Sequence, residues 1–204
     1  MVTTKHIKVV RVMTKEHTLM LIMGRSGAGK DSLVNKLSER TNLTAITSYT
    51  TRPRRENEGN THVFVTEDVF EEMMANGEVA AYTEINGNHY WTTIEQLYMH
   101  DLYIIDPQGA EVLKNLNLPN LRLVTVFINT PDSIREDRAI NQRKDDINIF
   151  RSRNIAERNQ FRTMLKNADF DYAVSNRDFA KCYSVLKWIT DIEGLWMNHT
   201  EVEA

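Results

Sequence analysis

The chain has 204 residues, 41% of them hydrophobic, and a formal net charge of −3. That length fits one α/β domain with small insertions and a substantial core, and the mild acidity argues against a general nucleic-acid binder. No apolar run approaches a membrane span, the N-terminus has no apolar signal-peptide core, and the single cysteine, Cys182, excludes an internal disulfide. The expected compartment is the reducing cytoplasm, with neither nucleic acid nor a membrane as partner.

Residues 1–17 alternate Ile7, Val9, Arg11 and Met13 with Lys8, Val10 and Val12. They read as an extra edge strand or as a frayed extension. The apolar run 18–23 predicts a buried strand, and it leads directly into Gly24-Arg25-Ser26-Gly27-Ala28-Gly29-Lys30. A strand ending in Gly-x-x-x-x-Gly-Lys and passing into a helix is a phosphate cradle. Its glycines let backbone N–H groups converge on an anion, and the helix dipole points at the same place. Lys30 would reach the β- and γ-phosphates of a nucleotide. Leu33, Val34 and Leu37 supply the apolar stripe of a helix over 31–40. The position after the lysine is usually Ser or Thr, whose hydroxyl binds Mg²⁺, but here it is Asp31. A carboxylate oxygen at Asp31, or the hydroxyl of Ser32, could take the metal instead. The bland alternative for Asp31 is a helix cap.

A strand over 45–47 precedes the basic cluster Ser48-Tyr49-Thr50-Thr51-Arg52-Pro53-Arg54-Arg55-Glu56. Arg52, Arg54 and Arg55 offer planar forks suited to a second phosphate, although most charge runs are solvated turns. Residues 48–93 interrupt the strand–helix alternation with Val63-Phe64-Val65, a helix over 67–76 and short strands ending at Tyr90-Trp91, so they read as an inserted subdomain. The strand over 102–105 ends at Asp106, where a parallel sheet places substrate-binding or metal-orienting carboxylates; a turn-starting Asp before Pro107 is the alternative. Helices over 110–116, 133–142, 147–167 and 179–196 alternate with strands over 121–128 and 172–174, which predicts a parallel sheet covered on both faces. Arg135, Arg138, Arg143, Arg151 and Arg153 fall in a polar helical arm. Mobile arginines stabilise phosphoryl transfer. Most of the five are expected to pair on the helix surface with Glu136, Asp137, Asp145 and Asp146, leaving Arg138 and Arg143 for the chemistry.

Taken in order, these segments resemble the guanylate kinase family over roughly residues 19–188. The family's Gly-x-Ser-Gly-x-Gly-Lys matches 24–30, its Ser-x-Thr-Thr-Arg-x-Pro-Arg matches 48–55, and its Glu-x-x-Gly-x-x-Tyr-x-Phe matches 56–64. Its Gly-Asn-x-Tyr-Gly-Thr appears as Gly87-Asn88-His89-Tyr90-Trp91-Thr92, its Asp-x-Gln-Gly as Asp106-Pro107-Gln108-Gly109, and its late Asp-Tyr-x-x-x-Asn ends at Asn176. The resemblance implies a P-loop NTPase three-layer α/β fold over 18–196. It carries an acceptor-binding subdomain at 48–93 and a helical lid at 130–167, between an N-terminal extension (1–17) and a tail (197–204).

The resemblance also implies ATP and Mg²⁺. Gly24, Ser26, Gly27, Ala28, Gly29, Lys30, Asp31 and Ser32 would form the ATP site, with Asn176 near the adenine. The acceptor would meet Ser48, Arg52, Arg55 (or Arg54), Glu56, His62, Tyr90, Thr92 and Asp106. Lys30, Arg138 and Arg143 would be catalytic, in a monomer or a homodimer. Several positions depart from the pattern. The guanine-reading glutamate, nine residues before the tyrosine, is Ala81; Glu84 faces elsewhere if its segment is extended. His62 replaces a tyrosine, and Trp91 replaces a glycine and is expected to crowd the pocket. Gly-Lys-Asp-Ser with a shorter arginine loop is similar to the ribose 1,5-bisphosphate phosphokinases. The expected activity is ATP-dependent phosphorylation of GMP or dGMP. The alternatives are a kinase acting on a sugar phosphate or another nucleotide, and a non-catalytic binding module.

Overall fold

The run Leu19–Met23 becomes the centre of the molecule because both faces of its strand are covered. The computed structural model describes residues 16–54, 62–85 and 87–199. Strand β1 (His17–Met23) is buried along its whole length. It pairs in parallel with β6 (Leu102–Ile104) on one side and β7 (Leu121–Asn129) on the other, and β8 (Tyr172–Ser175) completes the order β6-β1-β7-β8. Alternation along β1 sends Met20 and Ile22 into a core with α1 (Lys30–Arg40) and α7 (Phe179–Ile192). Leu19, Leu21 and Met23 enter a second core with α4 (Pro107–Leu116) and α6 (Ile147–Asn167). The three-layer α/β arrangement expected from the alternation is therefore present.

Several boundaries move for local reasons. The expected strand at 45–47 reduces to one parallel bridge, Ala45 to Leu102. Helix α4 begins earlier than its apolar stripe suggests, because Asp106 caps it and Pro107 stands at its first position. The arm helix expected over 133–142 divides into α5 (Asp132–Asp137) and a π-helical turn, Arg138–Gln142. The last helix stops at Ile192, since Gly194 takes a φ of 69° and a 3₁₀ turn, Leu195–His199, follows.

A second sheet, ordered β3-β2-β5-β4, is built from β2 (Tyr49–Thr50), β3 (Val63–Phe64), β4 (Val79–Ile85) and β5 (Asn88–Thr93). Helix α2 (Glu67–Ala75) packs Phe70 onto it: the Phe70 ring stacks on His89 at 4.1 Å and meets Trp91 at 4.8 Å. This corrects the expectation that Trp91 crowds the pocket. Neighbouring residues of a strand point to opposite faces, so Tyr90 faces the cleft while Trp91 is fully buried against Phe70 and Tyr49. A short helix that the sequence reading passed over, α3 (Ile94–Met99), starts at a capping box formed by Thr93 and Gln96. The expected extension at 1–17 lies outside the described residues except for its last two positions.

Candidate active site

The turn after β1 is shaped by residues that tie its carbonyls back into the body. Asn176 Nδ2 donates to Ala28 O at 2.7 Å, Thr130 Oγ1 to the same oxygen at 3.0 Å, and Arg138 Nη1 at 3.2 Å. Arg135 Nη1 donates to Ser26 O at 2.9 Å. Two glycines are required by this crowding. Gly27 has a φ of 77°, and a Cβ there would sit 2.7 Å from Arg135 O; Gly29 has a φ of 89°, and a Cβ there would sit 2.7 Å from Asn176 Nδ2. Gly29 is also the N-cap of α1. With the carbonyls turned inward, the loop is left to present N–H groups and a helix N-terminus to an anion. Lys30 Nζ rests on Gly24 O at 2.6 Å. Burial holds its pKa below the ordinary lysine range, against the opposing charges of Asp31 and Glu157.

A cleft of about 900 Å³ runs from this loop to the second sheet. Gly24, Ser26 and Lys30 line one end, and Ser48, Arg52, His62, Tyr90 and Asp106 line the other. Ser48 Oγ and His62 Nδ1 are 2.9 Å apart, and the Tyr90 ring meets the His62 ring edge-on with centroids 5.8 Å apart. The Arg52 and Arg54 guanidinium groups lie over the Phe64 ring at 5.3 and 4.4 Å. Asp106 Oδ1 accepts from the backbone N–H groups of Gln108 and Gly109 at 2.8 and 3.0 Å, and Oδ2 accepts from Thr83 Oγ1 at 3.3 Å. The cap and the cleft are two uses of one carboxylate, so the competing sequence readings of Asp106 meet in a single position.

Other expected residues sit elsewhere. Thr92 is fully buried and donates its hydroxyl to Gln96 Oε1 at 2.7 Å, so it serves the start of α3 and does not line the cleft. Asn176 lies fully buried beneath the loop, with no hydrogen-bond partner to its Oδ1 among the described residues. Asp31 and Ser32 are exposed on the first turn of α1. Arg138 packs against the loop, whereas Arg143 is exposed and paired with Asp145 at 2.6 Å. Arg55 and Glu56 lie outside the described residues. Ala81 lines the cleft wall in a left-handed conformation, φ 48°, at a bulge where β4 gains a residue relative to β5. Glu84, exposed and opposite His89 in register, also lines the cleft, because the bulge at Ala81 breaks the regular alternation of an extended strand; this corrects the expectation that it faces elsewhere.

The arm holds residues that the sequence reading undervalued. Arg135 was expected on the surface, but it is 1% exposed and forks between Ser26 O, Asp132 Oδ1 and Asn154 Oδ1. Arg151 does make the expected surface pair, with Glu136 at 3.8 Å. Arg153, Glu157 and Gln160 line the cleft from α6. Their i, i+4, i+7 spacing puts them on one helix face, a signal present in the sequence.

Known proteins resemble the chain over most of its length. A family model described as guanylate kinase matches residues 16–192. The guanylate kinase of Escherichia coli strain K12 is 33% identical over 192 residues, covering 89% of this chain and 90% of that protein. The guanylate kinase of Salmonella paratyphi A has the same identity and coverage. Among solved structures, the guanylate kinase of Anaplasma phagocytophilum superposes with a TM-score of 0.61 at 20% identity, over 88% of this chain and 87% of that one, and so supports the fold.

Proposed function

The chain belongs to the guanylate kinase family, and from that premise we propose that it transfers the γ-phosphoryl group of ATP to the phosphate of GMP or dGMP, giving ADP and GDP or dGDP. The observation that carries this reading is the single cleft joining the phosphate loop to Arg52, Tyr90 and Asp106, which lets donor and acceptor phosphates meet. An acceptor phosphate oxygen attacks the γ-phosphorus in line as the bond to the β-bridging oxygen breaks. The attacking oxygen is already anionic, so no base is needed. Arg52, with Arg55 (or Arg54), holds the acceptor phosphate beside Tyr90 and His62, while Ser48 and Asp106 face its nucleoside. Lys30 neutralises the β- and γ-phosphates, and Arg138 braces the loop from which they hang.

Magnesium bound with ATP would offset phosphate charge. The exposed carboxylate of Asp31, next to Lys30, fits that group, because Mg²⁺ binds through one or two carboxylates with phosphate oxygens and water completing its shell. No cluster of three ligating side chains occurs among the described residues, so the nucleotide would supply the other oxygens. The site reads small nucleotides, and no helix among the described residues is long and apolar enough to cross a membrane. A cytoplasmic location and a monomeric or dimeric state belong to this proposal.

Ala81 favours one further reading, in which a base-free acceptor such as ribose 1,5-bisphosphate enters, since its own side chain offers no carboxylate to a base. An ADP-release assay with GMP, dGMP, other monophosphates and ribose 1,5-bisphosphate separates the two. GMP turnover is expected; turnover of the sugar phosphate with none of GMP would transfer the assignment. Lys30→Ala is expected to lower turnover by about a hundredfold to a thousandfold, and near-normal turnover in that variant would sink the phosphate-loop assignment.

A further inference from the structure

Glu157, which the transfer reaction does not use, has its carboxylate on the phosphate loop. The Ser26 backbone N–H donates to Glu157 Oε2 at 2.8 Å, and the Ser26 hydroxyl donates to Oε1. Both donors belong to the loop that is shaped to receive a phosphate oxygen, at the end of the cleft that Ser26, Lys30 and Glu157 line together. An ionised carboxylate is anionic and acceptor-only, which makes it the side chain whose chemistry stands nearest to a phosphate in such a site.

The rest of α6 is fastened in the same posture. Asn154 Oδ1 accepts from Arg135 Nη2 at 2.6 Å, and Arg158 Nη2 lies 3.1 Å from Asp132 Oδ2. Gln160, one turn beyond Glu157, donates from Nε2 to Asp106 Oδ1 at 3.0 Å. One helix face therefore touches the donor loop and the acceptor-side carboxylate at once. A phosphate oxygen cannot take the Ser26 donors while Glu157 holds them.

We propose that Glu157 is an internal phosphate mimic: the docked α6 and the polyphosphate of ATP compete for Ser26, and ATP binding displaces the Glu157 carboxylate and lifts this part of α6 off the loop. The inference rests on the ATP site assigned above. Competition of this kind reduces apparent affinity by the fraction of molecules in which the loop is free. Charge-assisted contacts that leave about one molecule in ten undocked weaken ATP binding about tenfold.

The test is calorimetric titration of the full chain, without acceptor, as wild type, Glu157→Gln and Glu157→Ala. The ligands are ATP and, separately, inorganic tripolyphosphate. Both variants are expected to bind both ligands about tenfold more tightly than wild type, because tripolyphosphate meets the loop alone. The Gln variant keeps the side-chain shape, so it guards against a folding defect in the Ala variant. Unchanged or weaker affinity in the variants, with ATP bound by wild type, overturns the mimic and makes Glu157 a nucleotide-positioning or structural residue. Tighter ATP binding without tighter tripolyphosphate binding overturns it too, since the competition would then lie at the nucleoside end. Failure of wild type to bind ATP would overturn the kinase reading and the mimic with it.

Discussion

Ala81 and Lys30 are the positions where one side chain decides most. A non-glycine residue in the left-handed region costs about 1–2 kcal/mol, and Ala81 meets that cost at a bulge that sets its Cβ on the cleft wall. On the proposed acceptor site, a glutamate at this point is expected to meet the guanine edge. Ala81→Glu is expected to improve kcat/KM for GMP about tenfold relative to IMP, which lacks the exocyclic amine, in line with a hydrogen bond to a charged group; the ADP-release assay with both acceptors measures it. Lys30 supplies a pH signature. Its pKa is lowered by burial, so the protonated form that pairs with phosphate is lost at a lower pH than for a free lysine. ATP affinity is therefore expected to fall on the alkaline side before the ordinary lysine range is reached. Lys30→Arg should remove that limb, because arginine keeps its proton throughout. The substitution at Ala81 was legible from its spacing to Tyr90, but the bulge was not, because the extra residue is defined only by the register of β4 on β5.

At the scale of elements, the loop depends on α5 and α6 as much as on its own glycines. Arg135, from α5, joins Ser26, Asp132 and Asn154, while Asp132 also accepts from Arg25 and Arg158. These arginines hold the Asp132 carboxyl below its usual range against the opposing effect of burial. Asp132 keeps Arg25 and Arg158, but removing the buried guanidinium leaves Ser26 O and Asn154 Oδ1 without their donor, so Arg135→Ala is expected to cost about 1–3 kcal/mol in urea unfolding and to weaken ATP binding. A surface arginine such as Arg151, 63% exposed, would by contrast cost less than about 1 kcal/mol. Composition could not rank the two, since both stand in the same polar arm. The distinction comes from which side of α5 or α6 meets the loop. In the second sheet, the same reasoning moved Trp91 out of the pocket: strand parity places it with Phe70, while Tyr90 takes the cleft side.

The whole molecule is two sheets bridged by a cleft, with α6 laid across it. Cys182 offers a readout of its integrity. The thiol is 1% exposed in the core beside α1, and burial pushes its pKa up to about 11. At pH 8 the native thiol is expected to resist iodoacetamide and to react at the rate of global unfolding, becoming fully labelled in urea. Labelling of native protein within minutes at pH 8 would contradict the packing of α7 on the sheet.

The sequence by itself determined the alternation of strands and helices, the phosphate loop, the arginine cluster and the family. Those features rest on local spacing, on the chemistry of glycine and lysine at a strand end, and on motifs that lie within a few residues of one another. Only the tertiary structure decided which polar residues meet. Arg135 lies under the loop, Thr92 serves α3, and Glu157 reaches Ser26 across a separation of 131 residues. Contacts at that distance depend on how helices seat on the sheet, and no local pattern of residues encodes that seating.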